Sequence, residues 1–162
     1  MRFIVDQTLG GLGKWLRLCG FDTDQKLIRV QDIDSLPSPE QDTYILTRQS
    51  ALGRGSARND ILVVTADSPE AQLAEVITAL RPPPDQFDPL KRCSRCNQLL
   101  VPVSREEVRG RVPEHIFQHH YQFFECPGCH RVFWAGSHVA AICRRLQALT
   151  DQRPGPKPDS PS

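Results

Sequence analysis

Hydrophobic positions open the chain in a short dense run and then change period. "RFIV" (Arg2–Val5) is apolar up to Asp6 and predicts a buried strand. In "LGGLGKWLRLCG", Leu9, Leu12, Leu16 and Cys19 recur at helical spacing, and Trp15 and Leu18 widen the stripe before Gly20 stops it. Gly10, Gly11 and Gly13 weaken that helix, and close packing against a neighbour explains them better than a phosphate loop, whose spacing they lack. "FDTDQKLIRV" offers a second strand, with Asp22 and Asp24 near one of its ends. "TYIL" offers a third and "DILVV" (Asp60–Val64) a fourth. Between the last two, "SALGRGSARN" allows a turn or two of helix.

"DSPEAQLAEVITAL" is the strongest helix signal. Ser68 can cap it, Pro69 suits its first position, and Glu70 complements its positive end. Leu73, Val76, Ile77 and Leu80 form its apolar face. Strands alternating with helices predict an α/β domain, a parallel sheet flanked by helices. Pro37 and Pro39 interrupt the crossover before the third strand. "RPPPDQFDP" then reads as a stiff, extended linker and "RPGPKPDSPS" as a disordered tail. The expected organisation is therefore a sheet domain over 1–81 and a linker over 82–90. A small module with a C-terminal helix follows over 91–149, then the tail over 150–162.

Charge sharpens this division. Residues 1–90 hold 9 Lys/Arg against 13 Asp/Glu, whereas residues 91–150 hold 9 against 4 and all five histidines. An acidic part beside a basic part fits a metal site next to a polyanion-binding surface, or simply two solvated surfaces. No apolar run approaches the roughly 18 residues of a spanning helix, so no membrane partner is expected. "MRFIVDQ" is not a signal peptide, and a cytoplasmic location is the expectation.

The second module declares its chemistry through cysteine. Cys93 and Cys96 in "CSRC", with Cys126 and Cys129 in "CPGC", form two pairs whose sulfurs can each face one ion from a tight turn. Together they make the tetrahedral thiolate set that zinc favours, and four thiolates leave no open position, so the ion would be structural. Disulfides are the other reading and suit a leaderless chain poorly. His130 could replace a ligand. The 29 residues between the pairs (97–125) exceed the common spacing, and "VSREEVRGRVP" reads as an insertion. Its Ser104 and Glu107 form a capping box. Cys19 and Cys143 fall on apolar helix faces, as core residues do.

In the first domain, Asp6, Asp22 and Asp67 each lie near the expected end of a strand. Parallel sheets gather such ends over one crevice. Carboxylates there would hold Mg²⁺ or Mn²⁺ for phosphodiester chemistry. Ordinary loop and capping aspartates are the alternative.

From Arg2 to about Leu149 the chain resembles the PIN-like ribonuclease family first recognised at the C-terminus of the Mut-seven exonuclease. The resemblance is carried by "FIVDQTLGGLGKWLRLCGFDT", "ILTRQSAL", "CSRCNQLL", "VSREEVRGRVP" and "FFECPGCHRVFWAGSH". It implies a PIN-type nuclease domain joined to a C-terminal zinc ribbon. It further implies metal-dependent endoribonucleolytic cleavage, with RNA or a ribonucleoprotein as partner. The family's acids fall on Asp6, Asp22 and Asp67. The fourth falls on Gln49, where relatives usually read "TRD", so weakened cleavage or a binding-only module is the corresponding expectation. Lys14 or Arg48 could contact a phosphate. Lys91, Arg92, Arg95, Arg109, Arg111 and Arg131 of the ribbon would grip the RNA backbone. Phe123, Phe124, Phe133 and Trp134 either stack bases or form the ribbon's own core.

Overall fold

Two strands with an unbroken apolar run of three residues must be covered on both faces, and this requirement organises the first part of the fold. In the computed structural model, which describes residues 1–36, 42–55 and 58–151, these are β1 (Arg2–Asp6) and β3 (Thr43–Thr47). They lie at the centre of a four-stranded parallel sheet of order β2-β1-β3-β4. The edges are β2 (Asp22–Lys26) and β4 (Ile61–Val63). The polar sequence of β2, "DTDQK", suits an edge, where one face and one side meet water.

Strand alternation divides the core in two. Phe3 and Val5 point into a larger cluster with α1 (Gly10–Leu18) and α3 (Pro69–Leu80), while Ile4 and Ile45 point into a smaller one with Ile28, Ile33 and Leu52. Leu52 comes from α2 (Ser50–Gly55). In α1 the three glycines cost up to about 1 kcal/mol each. Complete burial of Leu12 and Leu16 offsets this at about 1.5–3 kcal/mol per side chain. Gly11 has a packing reason: a Cβ there would lie 2.5 Å from Cγ of Pro69, the first residue of α3. Ser68 caps α3 as its sequence predicts, accepting from the Ala71 amide at 3.2 Å.

The second sheet is antiparallel, of order β5-β6-β7: Val101–Val103, Phe123–Glu125 and Val132–Trp134. The insertion holds α4 (Arg105–Val108), with its capping box formed, and α5 (Glu114–His119). The final helix, α6 (Ser137–Asp151), does not stay with this module. Cys143 and Leu146 are buried in the larger core cluster with α1 and α3, so the four-cysteine module is an excursion between two helices of one core.

Nor is the 82–90 segment an extended spacer. Pro84–Gln86 forms a 3-10 turn, Phe87 packs edge-on to Phe21 at 5.0 Å, and the Asp88 amide donates to Cys19 O at 3.0 Å. Gly20 makes that approach possible: its φ is +100°, and a Cβ would lie 2.4 Å from Asp88 O. Gly20→Ala should therefore lower stability by about 3 kcal/mol, combining left-handed strain with a backbone clash. Urea denaturation checks this, and a loss below about 1 kcal/mol would contradict the packing described. Of the expected tail, residues 150 and 151 end α6 and the remainder lies outside the described residues, as do Pro37 and Pro39.

Candidate active site and metal centre

The C-terminal ends of β1 and β3 meet at Asp6, which is 1% exposed. Its Oδ1 accepts from the Thr8 amide at 3.2 Å, and its Oδ2 accepts from Thr47 Oγ1 at 3.3 Å. The third donor to the carboxylate, and the second to Oδ2, is Gln49 Nε2 at 3.0 Å, which also donates to Ile28 O at 2.7 Å. Both neighbours of this nitrogen are acceptors, so hydrogen-bonding chemistry fixes the amide with its NH₂ inward. Gln49 is thus no substitute oxygen ligand here. It satisfies Asp6 as a neutral donor, where a second carboxylate would leave two like charges in need of a cation.

Asp67 follows β4 at the same end of the sheet, with its side chain fully exposed. Arg48 links the two strand ends, donating to Ala66 O at 2.5 Å and pairing with Asp67 at 3.4 Å. Glu75 of α3 holds the loop that carries Asp67, accepting from the Thr65 and Ala66 amides and from Thr65 Oγ1. Burial alone would raise the Glu75 carboxyl, yet these donors hold it below the usual carboxylate range. Lys14 is exposed on α1.

Asp22 is not brought to this crevice. It opens β2 in register with Arg2, whereas Asp6 is in register with Lys26, so the two aspartates occupy opposite ends of the sheet. The strand begins at Asp22 rather than ending there, and that one shift moves the carboxylate to the far edge. There it accepts from Asn97 Nδ2 at 2.7 Å and pairs with Arg92 at 3.4 Å, joining the sheet domain to the cysteine module. Arg92 is accordingly a docking residue and not a free phosphate contact. Arg111 is also engaged, by Glu125 at 3.0 Å and His130 O at 3.1 Å. Lys91 pairs with Asp88 at 3.5 Å. Arg95, Arg109 and Arg131 remain exposed, Arg109 over the Phe117 ring. Phe123 is buried as ribbon core, while Phe133 and Trp134 line a groove of about 240 Å³ together with Arg92 and Leu18.

The cysteines converge as their spacing predicts. The Sγ atoms of Cys93, Cys96, Cys126 and Cys129 all lie within 4.8 Å of one another, with closest pairs at 3.3 and 3.6 Å. A zinc ion with Zn–S bonds of about 2.3 Å requires S···S edges of about 3.8 Å, so the set fits. The two turns are alike: Asn97 N donates to Cys93 O and His130 N to Cys126 O. Both following residues are left-handed, Asn97 at φ 65° and His130 at φ 56°. His130 therefore shapes the turn and bonds Glu125 at 3.2 Å, leaving the four sulfurs as the ligand set. Burial pushes the Cys93 thiol up to about 12, a shift that a bound cation would oppose.

For Mg²⁺ or Mn²⁺ the fit is narrower. Among the described residues no three carboxylates converge within ligand reach. Asp6 offers a buried oxygen pair and Asp67 an exposed one at the same sheet end. Such a donor set suits an ion that keeps several waters and completes its shell with substrate phosphate.

Sequence reasoning passed over Arg17, a buried cation on α1. Its Nε donates to Thr23 O at 2.8 Å and its Nη1 to Arg95 O at 2.9 Å and Ser94 O at 3.4 Å, inside the first cysteine turn. Its available signal was a charge set within the apolar stripe "WLRLC". No helix among the described residues is long and apolar enough to cross a membrane. Comparison with curated proteins and with solved structures gave no match. The family model for the Mut7-C RNAse domain matches residues 1–146, taking in the parallel sheet and the four-cysteine module alike, and the chain belongs to that family.

Proposed function

We propose that the chain is a PIN-like ribonuclease that cleaves RNA at the Asp6 crevice, at a rate lowered by Gln49, with the zinc ribbon holding the RNA backbone. Its units are the sheet domain over 1–81 together with α6, and the ribbon that intervenes. The observation that carries the reading is the buried Asp6 carboxylate, set by Thr8 and Thr47 at the C-terminal end of the central strand. A carboxylate buried at a strand end among neutral donors alone has no packing value, since burying a charge without an opposite charge is costly.

Asp6 and Asp67 would hold Mg²⁺ or Mn²⁺. Such an ion, when bound, supplies Lewis-acid activation of the phosphodiester and its attacking water. Thr47 holds the Asp6 carboxylate at the strand end, and Arg48 anchors the Asp67 loop at the same end of the sheet. Arg95, Arg109 and Arg131 supply sequence-independent backbone contacts. Phe133 and Trp134, at the groove with Arg92, offer aromatic faces to an unpaired base.

The test is Mn²⁺-dependent cleavage of single-stranded RNA by wild type and by Asp6→Asn. The substitution should lower the rate at least about a hundredfold, the scale of several kcal/mol of lost charge stabilisation. Equal rates in both proteins would remove the crevice from the reaction. A second reading, an RNA- or ribonucleoprotein-binding module without turnover, is favoured by the neutral Gln49–Asp6 hydrogen bond. RNA binding by wild type with no cleavage above Asp6→Asn would establish it instead.

A further inference from the structure

Two cysteines have no part in the metal set. Cys19 ends α1 and Cys143 lies midway along α6, 124 positions later, yet their Sγ atoms are 2.6 Å apart. Both belong to the larger core cluster, at 0% and 2% exposure. A disulfide requires about 2.05 Å between sulfurs, so a small side-chain adjustment separates this contact from a bond. Of the helices that carry the pair, α1 lies early in the chain and α6 directly follows the four-cysteine module. Leu18, beside Cys19, and Val139, one turn before Cys143, both line the groove that holds Phe133 and Trp134.

We propose that Cys19 and Cys143 are a redox modification site, forming a reversible disulfide that ties α1 to α6 when the protein meets a peroxide. The chemistry balances with that oxidant alone. The sulfur of Cys143 attacks one peroxide oxygen, the O–O bond breaks, and one water leaves a sulfenic acid on Cys143. The sulfur of Cys19 then attacks Cys143 sulfur. The S–S bond forms as the S–O bond breaks, and the departing hydroxide takes the Cys19 proton as a second water. Two thiols are oxidised and one peroxide is reduced. Cys143, 2% exposed against 0% for Cys19, is the less deeply buried of the two, which fits it as the first nucleophile. The bond would brace one wall of the aromatic groove and pin α6, the helix that follows the ribbon, to α1. It does not depend on RNA cleavage.

Full-length, zinc-loaded protein is treated with hydrogen peroxide, denatured in N-ethylmaleimide, digested with trypsin without reductant and analysed by mass spectrometry. Peptide 18–26 is expected joined to peptide 132–144, with the link lost on reduction. Zinc content should be unchanged at the peroxide level that forms it. Oxidation should raise the melting temperature of wild type by several degrees and leave that of Cys143→Ser unmoved. Recovery of both peptides as separate maleimide adducts would overturn the proposal. So would a sulfinic acid on Cys143 without a link, or a link from either cysteine to a ribbon cysteine.

Discussion

Zinc removal is expected to unfold the ribbon and loosen its hold on α1 while the parallel sheet stays folded. A structural four-thiolate site contributes about 10 kcal/mol or more of apparent folding free energy at neutral pH. The ribbon has little else. Its strands are three residues each, and among the described residues its buried apolar side chains beyond the cysteines are Val108 and Phe123. Three contacts to the sheet domain depend on the first cysteine turn: Arg17 to the Ser94 and Arg95 carbonyls, Asn97 to Asp22, and Asn97 to the Thr23 amide. Metal analysis should find about one Zn²⁺ per chain, as a single four-thiolate set requires. After chelation, hydrogen exchange should rise across residues 93–134 and remain slow in β1 and β3. Unchanged protection in the ribbon would show that it folds without the ion.

Gln49→Asp is expected to have two opposed effects. Without a divalent ion it should destabilise the protein by about 1–3 kcal/mol, because the amide donor to Asp6 and Ile28 O is lost and a like charge takes its place. With Mn²⁺ that loss should be recovered, and RNA cleavage should exceed wild type by at least about tenfold, the worth of some 1.4 kcal/mol of added transition-state stabilisation. Melting curves with and without Mn²⁺ separate the effects, since wild type should respond weakly to the ion. An absence of cleavage in both proteins, with a Mn²⁺ response only in the variant, would leave a binding module whose metal site can be rebuilt.

What could be read in advance was whatever a local pattern determines. The apolar runs of β1 and β3, the cap of α3, the capping box at Ser104 and the paired cysteines all depend on neighbours within a few residues. Asp22 was misplaced because a strand's span is visible while its register is not. Pairing Asp22 with Arg2 sends its carboxylate to the opposite end of the sheet from Asp6. Arg92 and Arg111 look free in the sequence because their partners, Asp22 and Glu125, are distant in the chain. The Pro-rich segment looked stiff and extended, but Phe87 found an aromatic pocket beside Phe21 that no local pattern encodes. Left-handed Asn97 and His130 after each second cysteine were legible as a repeated turn, had the paired positions been compared.

The return of α6 to the first core also has a consequence for synthesis. Strand β1 and helix α1 leave the ribosome well before α6, so the cluster around Phe3, Leu12 and Leu16 lacks Cys143 and Leu146 until the ribbon has emerged. The ribbon's contacts are the more local ones, so it can take up its ion and fold while the earlier core is still open. The nascent chain would then close the earlier core after the later ribbon, over a module already in place.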